Sequence, residues 1–274
     1  MSTTYVSMRV ERSEGVAEVI LLGPGKGNAM GPDFWTECPR VFTELDRDES
    51  VRAILVRGEG DHFTFGLDLK SMLSSLAPHF AGENLAGTRA KLLGLIGEMQ
   101  QAFDRIEGCK KPVIAAIHGW CIGGGVDLIS ACDVRMASKD AKFSVREVKV
   151  AMVADLGSLQ RLPRIVGRGH ARELALTGKD IDAEHALRIG LVNQVLPTND
   201  ALYEAARAMA KEIAENPPLV VQGIKQVMGY CEDKSIADGE RYVALWNAAF
   251  LASKDLMEAL GAFSEKRRPA FKGE

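Results

Sequence analysis

One stretch, residues 113–133, constrains the fold of this chain more than any other. It reads VIAAIHGWCIGGGVDLISACD. Its first five residues are apolar and rich in β-branched side chains, the composition of a buried strand. His118 and Gly119 end that run, three glycines follow at Gly123, Gly124 and Gly125, and an apolar helical stretch begins at Val126 and Asp127. The order strand, glycine turn, helix brings backbone close to whatever lies above the turn, because glycine has no Cβ to block the approach. The first N–H groups of the helix lack partners and carry the positive end of its dipole, so they suit an anion or an oxygen gaining negative charge. Asp127, three residues after Gly124, adds a carboxylate within the first turn. A second account of the same residues is purely mechanical: small residues let the helix pack tightly on the strand. Taken alone, the stretch leaves both open.

The chain around it can bury a full core. It has 274 residues, of which 46% are hydrophobic, enough for one large domain or a domain with an appendage. A formal net charge of −3 gives no general attraction to nucleic acid or to an acidic membrane, so neither is expected as a partner. The five cysteines, Cys38, Cys109, Cys121, Cys132 and Cys231, show no CxxC spacing and no zinc-like pairing with histidine. Reduced thiols and no metal site are expected. The first fifteen residues lack the apolar core of a secretory signal, the last residues are not a peroxisomal address, and no apolar run approaches a membrane span. A cytoplasmic protein is expected.

Periodicity organises the remainder. Residues 5–10 and 16–22 read as strands around the turn at Glu14 and Gly15. Residues 33–46 read as a helix whose apolar stripe is Phe34, Val41, Phe42 and Leu45. Residues 51–56 are a buried strand and 62–69 a strand edge broken by Gly66. Residues 71–87, rich in small and polar residues, are expected to form a mobile lid, and 89–106 a long helix. Further strands are expected at 134–137 and 191–196, with helices at 163–176 and 182–189. After Pro197 the pattern is helix upon helix, at 200–215, 217–230, 235–251 and 253–263. An α/β core over residues 1–196 with parallel βαβ units, followed by a helical region over 197–274, is the organisation this predicts. The glycine-rich loop at 23–30 misses dinucleotide-binding spacing, because Asn28 stands where the third glycine belongs. Its amides and Lys26 could still meet a phosphate.

Several of these segments, in this order, resemble one family. Residues 63–69 (FTFGLDL), 113–133 and 158–163 (SLQRLP), with 26–30 (KGNAM) and 263–269 (FSEKRRP), are similar to the crotonase, or enoyl-CoA hydratase/isomerase, superfamily over nearly the whole chain. The resemblance implies an α/β fold, a spiral of repeated ββα units closed by a C-terminal helical trimerisation region, in homotrimers commonly paired into hexamers. It implies an acyl-CoA thioester substrate, coenzyme A being part of that substrate, and no separate cofactor. Its oxyanion donors carry over to the backbone N–H groups of Leu67 and Gly124. Its contacts to the coenzyme carry over to Lys26, Asn28, Ala29 and Met30, to the run Phe65, Gly66, Leu67, Asp68 and Leu69, to Gly124 and Gly125, and to Lys266 reaching a neighbouring subunit.

Carboxylates separate the subfamilies. Hydratases of the family share Glu147 but carry glutamate at the position of Asp127 and glycine at that of Asp155. The set Asp127, Glu147 and Asp155 instead resembles the Δ3,5-Δ2,4-dienoyl-CoA isomerases, which move a pair of double bonds during oxidation of unsaturated fatty acids. Converting a 3,5-diene to a 2,4-diene removes a proton at C2 and adds one at C6. Two acid/base groups spaced along the acyl path suit that task, whereas a hydratase needs two carboxyls on one water. The resemblance makes Glu147 the C2 base, Asp155 the C6 acid, and Asp127 the group that raises Glu147's proton affinity. Each carboxylate alone would be ordinary: a helix-start acid, an ion-pair partner, a turn residue. Their joint register with the glycine turn is what points to a site. An enoyl-CoA hydratase is the alternative enzyme, and a non-catalytic acyl-CoA- or RNA-binding member of the family a further one. Ser130 and Ser144 have no histidine relay, and His62 and His118 are expected to be structural. Phe65 departs from the small residue usual in the family and places acyl-chain preference in question.

Overall fold

The apolar strands of this chain are continuous rather than alternating because the main sheet is covered on both faces. The computed structural model describes residues 5–23, 25–80 and 85–274, the side chains of Lys26, Ser75, His79 and Phe80 excepted. Strands β1 (Met8–Ser13) and β2 (Val16–Leu21) form an antiparallel hairpin, with Met8 opposite Leu21 and Ser13 opposite Val16. Helix α1 (Pro32–Arg47) follows, with proline in its first turn and Phe34, Trp35, Cys38, Val41, Phe42 and Leu45 buried. The stripe read from the sequence is that buried face. Strand β3 (Ala53–Gly58) lies parallel to β2.

The expected strand edge at 62–69 is not a strand. It makes two isolated bridges, Thr64 to Cys121 and Leu67 to Met30. The segment expected to be a mobile lid is helical where described: helix α2 (Leu69–Phe80) runs through most of it and α3 (Leu85–Glu107) begins before its end. Residues 81–84 of that segment lie outside the described residues. Strand β4 (Val113–Ile117) then leads into β5 (Trp120–Ile122) and α4 (Gly124–Ser130). Strands β6 (Val134–Ser138) and β7 (Lys142–Ser144) precede a short 3-10 turn at Glu147–Val150. The helix expected at 163–176 is two, α5 (Ser158–Ile165) and α6 (Gly167–Thr177), because Gly167 takes φ +77° and breaks the run. Strand β8 (Ile181–Asp182), helix α7 (Ala183–Arg188) and strand β9 (Gln194–Leu196) complete the sheets.

The six-stranded sheet has the order β1-β2-β3-β4-β6-β9 and is parallel after the first hairpin; β5, β7 and β8 form a second, three-stranded sheet. Along β4, Val113, Ala115 and Ile117 join the core packed under α1 and α3, while Ile114 and Ala116 face the other way. Helix α8 (Asn199–Ala214) covers that second face with Leu202, Ala206, Ala210 and Ala214. The division expected after residue 196 thus falls just before a helix that shares the core of the sheet. Helices α9 (Pro218–Cys231), α10 (Ile236–Phe250) and α11 (Lys254–Glu265) follow.

Candidate active site

The glycine turn builds one half of the site. Gly123 takes φ +53°, a conformation open to glycine, and its N–H donates to the Ser144 carbonyl at 2.9 Å. The N–H groups of Val126 and Asp127 turn back to the Gly123 carbonyl. That leaves the N–H of Gly124, first residue of α4, with no acceptor among the described residues. The other half comes from the segment before α2. Gly66 takes φ +75° and presses so close to the Ile122 carbonyl and the Gly124 nitrogen that a Cβ there would lie 2.9 Å from the latter. The Met30 N–H donates to the Gly66 carbonyl at 2.7 Å, and the Asp68 N–H to the Met30 carbonyl at 3.0 Å. Leu67, between them, has its N–H on the opposite edge and without an acceptor among the described residues. The two free donors are neighbours: a Cβ on Gly124 would lie 3.7 Å from the Leu67 nitrogen.

The residues expected to hold the coenzyme divide by what their side chains touch. Asn28, buried and at φ +46°, turns inward: its Nδ2 donates to the carbonyls of Glu59 and His62, both at 2.7 Å, and of Phe63 at 3.3 Å. It pins the 27–30 loop to the 59–63 turn. Thr64 adds a second pin, its hydroxyl donating to the Asn28 carbonyl and accepting from the Gly66 N–H. Phe65 lays its half-exposed ring over Gly27 and against His62, with centroids 4.8 Å apart, rather than over the oxyanion donors. Asp68 accepts from the N–H and hydroxyl of Ser71 and so starts α2, whose first residue is the exposed Leu69. Gly125 lets α4 approach Thr64 and Cys121. Met30 is buried with its sulfur beside Gly124, and Ala29 is half-buried. The side chain of Lys26 lies outside the described residues. Lys266 caps α11 at φ +55° and is exposed.

The carboxylates gather beside these donors. Asp127, in the first turn of α4, is only 1% exposed, and its Oδ1 accepts from the Ser158 N–H at 2.6 Å. Burial pushes its carboxyl up to about 6, against the pull of that hydrogen bond, and the charge of Asp155 pushes the same way. Glu147 opens the 3-10 turn, which closes at Ala151 with φ +58°. Burial first, and then the charge of Asp127, push Glu147 up to about 7. One of its oxygens, Oε1, lies 3.2 Å from the position a Cβ would take on Gly123, and the other, Oε2, is buried with no hydrogen-bond partner among the described residues. Asp155 is exposed in the single chain, yet partial burial of its carboxyl still drives its proton affinity upward. An apolar cavity of about 570 Å³, walled by Val145, Met152, Leu159 and Leu162, opens beside Glu147 and Ser158.

Sequence reasoning left Ser158 without a role, although it opens one of the segments that carry the family resemblance. Its N–H holds Asp127, and its fully buried hydroxyl also lies against that carboxyl and favours its charged form. The signal available in sequence was a small polar residue at a helix start, three residues after Asp155, which is weak. His118 is structural as expected: Nε2 meets the Gly60 carbonyl at 2.9 Å and Nδ1 the Tyr203 hydroxyl at 3.0 Å, and burial lowers its proton affinity. All five cysteines are free. Among the described residues no group of three or more His, Cys, Asp or Glu side chains is placed to hold a metal.

Paired backbone donors facing carboxyls of raised proton affinity define a site that can take a proton from carbon and hold the resulting oxyanion. The chain belongs to the enoyl-CoA hydratase/isomerase family, whose model matches residues 11–274. It is 46% identical to the mitochondrial Delta(3,5)-Delta(2,4)-dienoyl-CoA isomerase of Dictyostelium discoideum, over 98% of this chain and 92% of that one. It is 43% identical to the peroxisomal protein of that name from Arabidopsis thaliana, over 98% and 96%. A crystal structure of an enoyl-CoA hydratase from Bacillus anthracis superposes with a TM-score of 0.88 at 30% identity, over 98% of this chain and all of that one.

Proposed function

We propose that this protein isomerises 3,5-dienoyl-CoA to 2,4-dienoyl-CoA, a step in β-oxidation of unsaturated fatty acids. The observation that carries the reading is the pair of unpaired N–H groups at Leu67 and Gly124 beside Asp127, Glu147 and Asp155. The names of the D. discoideum and A. thaliana relatives favour it over hydration. In this mechanism the ionised Glu147 takes a proton from C2. The electron pair moves into the thioester carbonyl, and the extended enolate places its negative oxygen on the Leu67 and Gly124 N–H groups. Such a donor typically contributes about 3–4 kcal/mol to the barrier. Asp155 then gives a proton to C6, the C–O double bond re-forms, and the 2,4-diene results. Burial, and then the nearby Asp127 charge, push Glu147 up to about 7, so it can take and return a proton at physiological pH. An apolar acyl chain seated against Asp155 removes its remaining water and raises its proton affinity further.

The coenzyme is held as part of the substrate by the loop around Lys26 and Met30 and by the backbone of residues 65–69. Lys266 serves the site of a neighbouring subunit. A trimer, or a pair of trimers, fits the apolar side chains that α9 to α11 leave uncovered: Met228, Ile236, Leu245, Met257 and Phe263 are each at least two-thirds exposed in the single chain. The cytoplasmic expectation gains no support from relatives named as mitochondrial and peroxisomal. Among the described residues no helix is long and apolar enough to cross a membrane.

The test is direct. Incubation with a 3,5-dienoyl-CoA should produce the ultraviolet absorbance of a 2,4-dienoyl thioester. No absorbance gain, together with rapid hydration of a 2-enoyl-CoA, would replace the isomerase with a hydratase.

A further inference from the structure

Helix α3 reaches the Asp155 loop along one stripe. Gln100, Asp104 and Glu107 stand at i, i+4 and i+7, which places them on one face of the helix. Gln100 Nε2 donates to the Asp155 carbonyl at 2.7 Å. Arg161 forks its Nη2 to Asp104 Oδ1 at 2.9 Å and Glu107 Oε2 at 2.7 Å, and donates from Nη1 to the Leu156 carbonyl at 3.3 Å. Two consecutive loop carbonyls are therefore fixed, one by α3 itself and one by an arginine tied to it. The Arg161 side chain is 11% exposed, while its carboxylate partners Asp104 and Glu107 are open to solvent; the two-armed fork and the bond to the loop carbonyl hold the guanidinium in place. Gly157, at φ +119°, runs so close over the guanidinium that a Cβ there would collide with it. The other face of α3 is anchored in the core by Met99, Ala102, Phe103 and Ile106. The reaction steps described above use none of Gln100, Arg161, Asp104 or Glu107.

Resting on the assignment of Asp155 as the C6 acid, we infer that Gln100 and Arg161 are positioning residues that aim Asp155, coupling α3 to the second proton transfer and not to the first. The first transfer depends on Leu67, Gly124 and Glu147, which other contacts hold. The enolate formed at C2 has two fates, return of a proton to C2 or protonation at C6. A misplaced Asp155 favours return. Displacements of about 1 Å in a catalytic group can cost on the order of 100-fold.

The experiment runs Gln100→Leu, Arg161→Met and Asp155→Asn in deuterium oxide with a 3,5-dienoyl-CoA. It measures deuterium at C2 of recovered substrate and formation of the 2,4-dienoyl product. In Gln100→Leu and Arg161→Met, product formation should fall about 10- to 100-fold while exchange at C2 stays within about twofold of wild type. Arg161 also acts on Asp127 through its charge, so Gln100→Leu, which removes a single half-buried amide, is the cleaner variant and serves alone if Arg161→Met does not fold. Parallel loss of exchange and product, or unchanged product formation, overturns the inference. The control separates the two layers. If Asp155→Asn isomerises at the wild-type rate, the acid assignment itself fails. If it raises the ratio of exchange to product and the other two do not, only the positioning role fails.

Discussion

Replacing Asp127 with asparagine should stabilise the fold while destroying activity. Asp127 is almost wholly buried, and its carboxyl rises from an ordinary 3.8 to about 6. The sign follows from linkage. Between those two values the folded state binds more protons than the unfolded chain, so stability falls as pH rises through the interval and is level above it. The loss at pH 8 comes to about 3 kcal/mol. Asparagine keeps the shape and an oxygen for the Ser158 N–H but never ionises. It should recover a large part of that loss at pH 8, roughly half as much at pH 5, and almost none below pH 4. Urea unfolding of both proteins at pH 4, 5 and 8 measures it. A variant no more stable than wild type at pH 8, or an advantage that does not shrink toward pH 4, would refute the claim that an ionised carboxylate is held at the protein's expense beside Glu147.

Other outcomes follow from the same geometry. Gly124→Ala puts a methyl group 3.7 Å from the Leu67 nitrogen and 3.3 Å from the Met30 sulfur; turnover should drop about 100-fold or more while the fold survives, as read by kcat beside circular dichroism, and normal kcat would remove Gly124 from the oxyanion pair. Asn28→Ala strips the amide from three backbone carbonyls and should cost about 1–3 kcal/mol of stability with a raised KM, whereas a pure coenzyme ligand would change KM alone. Because Glu147 must be ionised to act as base and is pushed up to about 7, while Asp155 must keep a proton to act as acid, kcat/KM should be bell-shaped with one limb near 7; a flat profile from pH 5 to 8 would place the base elsewhere.

How much of this was legible before the coordinates depended on how local the cause was. The stripe of α1 and the run from β4 through Gly123 to α4 are set by neighbours within a few turns of chain, and both stand as read. The carboxylate cluster was legible through its register with that glycine turn, not through any one residue. What escaped is tertiary. Nothing near Ser158 in sequence says that its N–H will meet Asp127, 31 residues away. Gln100 meets Asp155 across 55 residues. Asn28 sits in a loop that looks solvent-facing, and only the folded 59–63 turn supplies the carbonyls that draw it inward. The small and polar residues of 71–87 carry a weak periodic signal, so helix α2 was not legible there, although Met72 on it is buried. Sequence composition changes after Pro197, but α8 still belongs to the sheet because its alanine face is shaped for Leu55 and Ala116.

The central claim is that two different groups move the two protons. It is tested by letting the wild-type protein convert an unlabelled 3,5-dienoyl-CoA in deuterium oxide and locating the label in the product by NMR. Asp155 exchanges its proton with solvent before it acts, so the expected product is a 2,4-dienoyl-CoA carrying one deuterium at C6. Product with ordinary hydrogen at C6, carried over from C2 by a single group, or a hydroxyacyl product instead of a diene, would contradict it.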